Sequence, residues 1–291
     1  MTPNVQEASL EQARRHFAEE LRVTAHMGNE RLVEAFATVP RERFAGPGPW
    51  RLLNPWDGYW TTPDDDAHWL YHNVLVALDE TRRLNIGEPN LWAYQLDRIG
   101  LREGERVLQI GTGSGYFTAI LAETVGSRGS VDAIEIDETL AARATRNLET
   151  WPAAEVHQGD AAVPIRGQWD VIVAFAGATA PQAWWLDALT DGGRLLLPMT
   201  AADFSITGFM LRLDRHGEEL AARSVGRVAF YPCIGARTSQ GEAALRQALG
   251  DTAGQQALRC LRRDSHDKND SCWLHGDSWC LSKRPLSATV H

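Results

Sequence analysis

Residues 106–123 read RVLQIGTGSGYFTAILAE: an apolar run of strand length, a turn with glycine at 111, 113 and 115, then an apolar helical run. Glycines at alternate positions let the chain turn sharply and let a ligand approach the backbone closely. The start of the following helix offers N–H groups that lack an intrahelical partner. A dinucleotide fingerprint would need its third glycine at position 116, where Tyr116 stands, so the tighter spacing points to another adenosine cofactor. Taken alone, such a turn reads equally well as a tight strand-to-helix connection.

Two features downstream tip the balance. The run VDAIEID (131–137) carries Glu135 at a strand end, twenty residues beyond Gly115, where a carboxylate can accept hydrogen bonds from both hydroxyls of a ribose. Asp137 competes for that role. The third strand is followed by Gly159 and Asp160, again at the carboxyl end of a strand, where ligands bind in open parallel sheets, and Asp160 is placed to accept from an adenine amino group.

Outward from this centre the pattern alternates. Strands are expected at Arg106–Ile110, Val131–Ile134, Glu155–His157, Val171–Phe175 and Arg194–Leu197, with helices through Trp92, Leu96 and Ile99, over Tyr116–Glu123, around Leu140–Leu148 and around Trp184–Leu189. Alternating strands and helices mean a parallel sheet covered on both faces. Ile206–Leu213 and Ser224–Tyr231, joined by the polar turn Asp214–Gly217, read as an antiparallel edge. Apolar residues three and four apart from Leu10 to Phe36 predict helices ending before Pro40, whereas the Gly-, Pro-, Asp- and Trp-rich stretch Ala45–Pro89 reads as ordered but irregular,. The expected fold is α/β: a doubly wound, mostly parallel seven-stranded Rossmann-like sheet with an antiparallel edge, a helical N-terminal extension and a C-terminal tail. Three segments follow: 1–90 as a helical and aromatic-rich substrate or lid segment, 91–232 as the cofactor-binding core, and 233–291 as an extension of unknown role.

Composition narrows the function. The 291 residues carry 29 Lys and Arg against 38 Asp and Glu, a formal charge of −9, which disfavours nucleic acid as the main partner. No apolar run is long enough to span a bilayer, and the charged first forty residues lack a signal core. Four cysteines are too sparse for a disulfide framework, so a reducing cytoplasm is expected. Asp64, Asp65 and Asp66 read as a solvated turn, since three adjacent carboxylates do not converge on one ion without a specialised loop. In the tail, Cys260, His266, Cys272, His275 and Cys280 are soft ligands at irregular spacing, with only Cys272-x-x-His275 resembling a ligand pair. They read as structural residues, and no metal is expected. From Cys233 onward Leu245, Leu249, Leu258 and Leu261 carry a helical pattern, and Arg259, Arg262 and Arg263 read as a solvated helix face.

With these residues in view, the sequence resembles the S-adenosylmethionine-dependent methyltransferases and, more narrowly, the protein-L-isoaspartate O-methyltransferase family. The resemblance spans residues 30 to 232 and rests on ERLVEAFATVPRERF (30–44), the glycine turn, VDAIEID, the Gly-Asp pair, WDVIVAFAGAT (169–179), LTDGGRLLLPM (189–199) and VAFYPCIGAR (228–237). It implies S-adenosyl-L-methionine, with S-adenosyl-L-homocysteine as product, held by Gln109, Gly111, Thr112, Gly113, Gly115, Tyr116, Glu135, Ile136, Gly159, Asp160 and Ala161. It also implies methyl transfer to a carboxylate of a peptide or protein; the acceptor is expected between the cofactor edge and residues 56–90, faced by Asn85, Ile86, Gly87 and Glu88, of which Asn85, Gly87 and Glu88 are the catalytic candidates. Two positions depart from the family pattern. The acidic residue usual two places before the first glycine, where it helps neutralise the cofactor's amino group, is Gln109. The serine of an Ile-Ser-x-Pro block, associated with substrate handling, is Gly87 in Ile86-Gly87-Glu88-Pro89.

A carboxylate with a reference pKa near 4 is already ionised at neutral pH and needs no general base to attack a sulfonium methyl. An amine, phenol or imidazole would call on one, for which His72, Asp79, Glu80 and Glu88 are candidates. Two rivals stand beside the leading reading: methylation of a small metabolite or a peptide natural product, which the altered 85–89 block permits, and a non-catalytic cofactor-binding interaction protein. Large aromatics from Trp50 to Trp92 either line an acceptor pocket or fasten the irregular segment to the sheet.

Overall fold

The computed structural model describes residues 5–201 and 208–286, and packing divides the chain into two compact units, 1–106 with 112–159 and 107–111 with 160–291. In the first unit the periodic N-terminal residues form α1 (Val5–Thr24), α2 (Glu30–Thr38) and α3 (Arg41–Ala45). Asn29 starts α2 by accepting the N–H groups of Arg31 and Leu32, and Pro40, which can donate no helical hydrogen bond, separates α2 from α3. The apolar faces meet through Phe17, Phe36 and Phe117, ring to ring at 6.5 and 6.4 Å in edge-to-face geometry,.

Arg41 is fully buried. Its guanidinium donates to the carbonyls of Leu70 (2.6 Å), His72 (3.0 Å) and Val74 (2.6 Å) and lies over the rings of Phe17 and Tyr116 at 5.9 and 5.8 Å. Carbonyl dipoles and ring faces stand in for lost water around this charge, so one side chain fastens residues 70–74 to α3.

The stretch expected to be irregular is instead a four-stranded antiparallel sheet in the order β2-β1-β3-β4, from β1 (Arg51–Asn54), β2 (Gly58–Thr61), β3 (Leu75–Asp79) and β4 (Leu84–Ile86). Strands of three to five residues are too short to reveal period-two alternation among so many turn residues. Asp66 accepts the His68 N–H and starts a 3₁₀ turn, Ala67–Leu70. The chain continues through α4 (Pro89–Ile99), β5 (Arg106–Ile110), α5 (Tyr116–Val125), β6 (Ser130–Glu135), α6 (Glu138–Asn147) and β7 (Ala154–Gln158). β6 and β7 pair in parallel, Val131 opposite Ala154 and Glu135 opposite Gln158.

In the second unit, residues of β5 pair in parallel with β8 (Trp169–Ala174), and β8 pairs in parallel with β9 (Leu189–Met199). β10 (Gly208–His216) and β11 (Glu219–Val228) continue the sheet antiparallel. All seven expected strands are present in this α/β fold, with three differences of extent. α7 is only Ala183–Asp187, and Leu189, expected on that helix, opens the strand β9. The β10–β11 hairpin turns at Gly217 (φ +58°), so its second strand begins and ends earlier than expected. Ile206 lies outside the described residues.

The larger difference lies beyond residue 232. After α8 (Ser239–Ala248) and α9 (Thr252–Gln256), β12 (Cys260–Arg262), β13 (Cys272–His275) and β14 (Cys280–Ser282) extend the sheet in the order β13-β14-β12-β11-β10-β9-β8-β5. Leu261, expected on a helix, sits in β12 opposite Leu220. Trp273 packs edge-on against Phe209 at 5.4 Å and donates its indole N–H to the Asp251 carbonyl at 3.0 Å. The extension thus shares the apolar core of its unit. No helix among the described residues is long and apolar enough to cross a membrane.

Candidate active site

Gly111, Gly113 and Gly115 take φ of +86°, +58° and +95°, a region where any side chain is strained. A Cβ on Gly115 would stand 3.2 Å from Leu148, at the end of α6, and one on Gly113 would stand 3.4 Å from Leu78 of β3. The turn is therefore held closely as well as bent sharply. α5 opens on Gly115 with no side-chain cap. Beside it the hydroxyls of Thr112 and Ser114 are buried with no hydrogen-bond partner. Buried hydroxyls are rarely left so, and a polar ligand laid along the turn would give these two their partners.

Glu135 ends β6 aimed at this turn. Its Oε2 accepts the Gly113 N–H at 2.7 Å and its Oε1 accepts the Asp137 N–H at 3.1 Å. Burial pushes its carboxyl above the usual range; the N–H donors of Asp137 and Gly113 oppose that rise, and the charge of Asp137 adds to it,. Asp137, the competing acid, is committed elsewhere. Its Oδ1 caps α6 by accepting the Leu140 N–H at 2.9 Å, and its Oδ2 pairs with Arg82 at 2.6 Å. Between them sits Ile136, an apolar side chain 41% exposed.

The Tyr116 side chain is buried, and its hydroxyl has no hydrogen-bond partner. It packs edge-on against Phe44 and Phe117 at 5.7 and 5.0 Å, and burial pushes its phenol up to about 12 against the nearby Arg41 charge. Only its backbone belongs to the turn. The Gly159 N–H donates to the Glu135 carbonyl at 2.9 Å, and a Cβ there would meet nothing within 4 Å, so neither packing nor a positive φ demands that glycine.

In the second unit, Gln109 is buried and its Nε2 donates to the Gly111 carbonyl at 3.2 Å. A carboxylate could not donate there, which gives the amide a reason to stand in place of an acid. Asp160 Oδ1 accepts the Ala162 N–H at 2.8 Å, and a Cβ at Gly235 would collide with the Asp160 carboxylate. Gly235 therefore allows the backbone to close on that acid. The Ala161 carbonyl accepts both the Trp184 and Trp185 indole N–H groups at 2.9 and 3.0 Å, so Ala161 fastens the loop after β7.

The acceptor block belongs to the first unit. Asn85 in β4 accepts the Tyr59 hydroxyl at 2.7 Å and donates to the Arg83 carbonyl at 2.8 Å. Glu88 accepts from Asn73 at 3.0 Å. Gly87 cannot act through a side chain, and no side chain fits there: a Cβ would stand 2.6 Å from the Trp92 indole nitrogen and 3.1 Å from the Phe117 ring. The fully buried Trp92 fills the space a serine at position 87 would need. Asn73, Arg82 and Gly235 were not singled out for the site in the sequence, whereas Tyr59 and Trp92 belong to the aromatic stretch that the sequence offers as an acceptor pocket.

The family described as Protein-L-isoaspartate(D-aspartate) O-methyltransferase (PCMT) matches residues 12–238. A Protein-L-isoaspartate O-methyltransferase of Aliivibrio salmonicida is 30% identical over 207 residues, 71% of this chain and 88% of its own length. A Protein-L-isoaspartate O-methyltransferase 2 of Pelobacter propionicus is 36% identical over 210 residues, 70% and 83%. Two solved structures share the fold. A protein-L-isoaspartate O-methyltransferase superposes with a TM-score of 0.62 at 23% identity, over 75% of this chain and 65% of that one. A Plasmodium falciparum protein described as a putative protein-L-isoaspartate O-methyltransferase, in complex with S-adenosyl-L-homocysteine, does so with 0.59 at 16%, over 76% and 97%. A sharply bent glycine turn, a buried glutamate bonded to it and a family match that runs from α1 to the end of the β11 region have one common reading: this chain belongs to the S-adenosylmethionine-dependent protein-L-isoaspartate O-methyltransferase family.

Proposed function

We propose that the chain transfers a methyl group from S-adenosyl-L-methionine to a carboxylate on a peptide or protein. The observation that carries this reading is the 2.7 Å hydrogen bond from the Gly113 N–H to Glu135, beside the unpartnered hydroxyls of Thr112 and Ser114. A buried carboxylate beside a polar backbone turn offers partners to a ribose diol and its neighbouring groups. Glu135 would accept from the ribose, Ile136 would cover an apolar ring face, and Asp160, held by Ala162 and Gly235, would accept from the adenine amino group. Gly111, Gly113 and Gly115 would keep the backbone within reach, with Gln109, Gly159 and Ala161 fixing the flanking loops.

The bound cofactor supplies an electrophilic methyl on a sulfonium. Toward it the chain need only align an acceptor already ionised at neutral pH. Segment 1–90 would hold that acceptor and 91–232 the cofactor. On the acceptor side, Asn85 and Glu88 keep polar groups held by Tyr59 and Asn73, while beside Gly87 the buried Trp92 indole fills the place of a hydroxyl. The acceptor is therefore oriented without a side-chain hydroxyl at that point. A cytoplasmic location, as the sparse cysteines suggest, is part of the same reading.

The test is transfer from labelled S-adenosylmethionine to an isoaspartyl peptide and to its aspartyl counterpart. Label released as methanol in mild alkali, from the isoaspartyl peptide only, is the expected result. Alkali-stable label would indicate a nitrogen acceptor and sink the carboxylate reading. Transfer to small carboxylates but not to peptides would favour the metabolite acceptor that the Gly87–Trp92 packing leaves open.

A further inference from the structure

The three C-terminal strands are three, four and three residues long, and the loops between β12 and β13 and between β13 and β14 bring together side chains widely and irregularly spaced in sequence. The ligand atoms of His266, Cys272, His275 and Cys280 all lie within 4.8 Å of one another. Cys272 Sγ is 3.5 Å from His266 Nε2. In a tetrahedral site with metal–sulfur bonds of about 2.3 Å and metal–nitrogen bonds of about 2.0 Å, ligand atoms sit about 3.3–3.8 Å apart.

The surroundings are also those of a metal site. His266 Nδ1 lies 2.9 Å from the Asp264 carbonyl, a contact that keeps the proton on Nδ1 and turns the Nε2 lone pair toward the cluster. The Asn269 N–H approaches Cys272 Sγ at 3.4 Å, the kind of donor that supports a thiolate. Nδ1 of His275 is buried with no hydrogen-bond partner, and both cysteines are buried and free. We propose that these four residues form a closed, structural zinc site that holds the C-terminal extension of the sheet together.

Two thiolates and two neutral imidazoles are the donor set of a structural zinc site, and the two thiolate charges cancel the charge of the ion, so the cluster can stay buried. Binding releases two thiol protons, one from each cysteine, as two Zn–S bonds form. Cys260, counted with these ligands in the sequence, stays outside the cluster and donates to the Arg284 carbonyl at 3.2 Å. The expectation of no metal rested on spacing along the chain, and spacing is a poor guide when three strands and the loops between them do the assembling. The site is separate from the methyl-transfer reading, and either can fail without the other.

Metal analysis of the full chain, purified without chelators, should give about one zinc per chain. Cobalt added to the metal-stripped chain should produce the intense visible bands of a tetrahedral ion and a near-ultraviolet thiolate charge-transfer band. Cys280→Ser and His275→Ala should each weaken cobalt binding at least about tenfold, while Cys260→Ser and Cys233→Ser keep the full spectrum. If the ligand variants do not fold, the wild-type spectrum decides alone. Less than about a tenth of a zinc per chain with no charge-transfer band, a weak octahedral cobalt spectrum, or a Cys272–Cys280 disulfide in place of bound metal overturns the proposal.

Discussion

The proposed cofactor side and the proposed acceptor side of the first unit differ in how closely each keeps its family pattern. Around Gly113, Gly115 and Glu135 the residues match that pattern, and the geometry rests on positive φ values and backbone N–H groups. Around Gly87 the pattern is broken, and a large side chain, Trp92, occupies the place of a small hydroxyl. A cofactor common to a whole family fixes backbone shape, which few sequences can supply. An acceptor contact made by side chains can be rebuilt by one substitution and a neighbour that fills the gap.

The largest effect is expected from cutting the link at the centre of the cofactor side. Glu135→Ala removes the partner of Gly113 and the acceptor proposed for the ribose, so cofactor affinity measured by calorimetry should fall about 100-fold or more, from two lost charge-assisted hydrogen bonds. Unchanged affinity would remove Glu135 from the site. The same residue sets a pH dependence of known sign. Burial raises its carboxyl in the folded chain, so the folded state keeps the proton to higher pH than the unfolded state. Its contribution to stability therefore declines as pH rises from the ordinary carboxylate range through the raised value. Affinity for cofactor has the opposite slope, since the ionised form is the acceptor: it should drop as pH falls through the raised value, and Glu135→Gln should flatten that profile.

Restoring the family serine should not restore a family function. Gly87→Ser places a Cβ against Trp92 and Phe117 and should cost about 1–3 kcal/mol in urea unfolding through overpacking. Combined with Trp92→Leu, which opens the space, much of that cost should vanish, so the double-mutant cycle reads the coupling directly. Additive losses would mean that Trp92 is not what keeps position 87 bare. Gln109→Glu tests the other departure. The amide donor to the Gly111 carbonyl is lost and a buried carboxylate faces that oxygen, so stability should drop by about 1–2 kcal/mol at neutral pH with no gain in cofactor affinity. A clear gain in affinity would show that the acid's missing role matters more than the amide's bond.

Asp137→Asn should do least. Asparagine still caps α6, and only the exposed pairing with Arg82 is lost. Cofactor affinity should change less than about threefold, in contrast to Glu135→Ala. A large loss here would reassign the ribose contact to the second acid.

Much of this was legible in residue order. The glycine turn, the parallel strands and the antiparallel hairpin announce themselves through positive-φ glycines and apolar runs of strand length. Residues 45–89 did not, because three- to five-residue strands among Gly, Pro and Asp carry no period; pairing between β1 and β3, across some twenty residues, supplies what periodicity cannot. Leu261 was placed on a helix because leucines three and four apart continue the pattern of α8, and only its pairing with Leu220 makes it strand.

By itself the sequence determined the bend at Gly111–Gly115, the acid at the end of β6 and the family, because positive φ and unpaired N–H groups are local properties written in residue identity. Tertiary structure alone decided that Glu135 rather than Asp137 reaches the turn, that Gln109 serves as a donor, that Trp92 keeps position 87 a glycine, and that four scattered ligands meet at the end of the chain. Each of those outcomes depends on which side chain packing brings into the space beside a residue, and spacing along the chain does not record it.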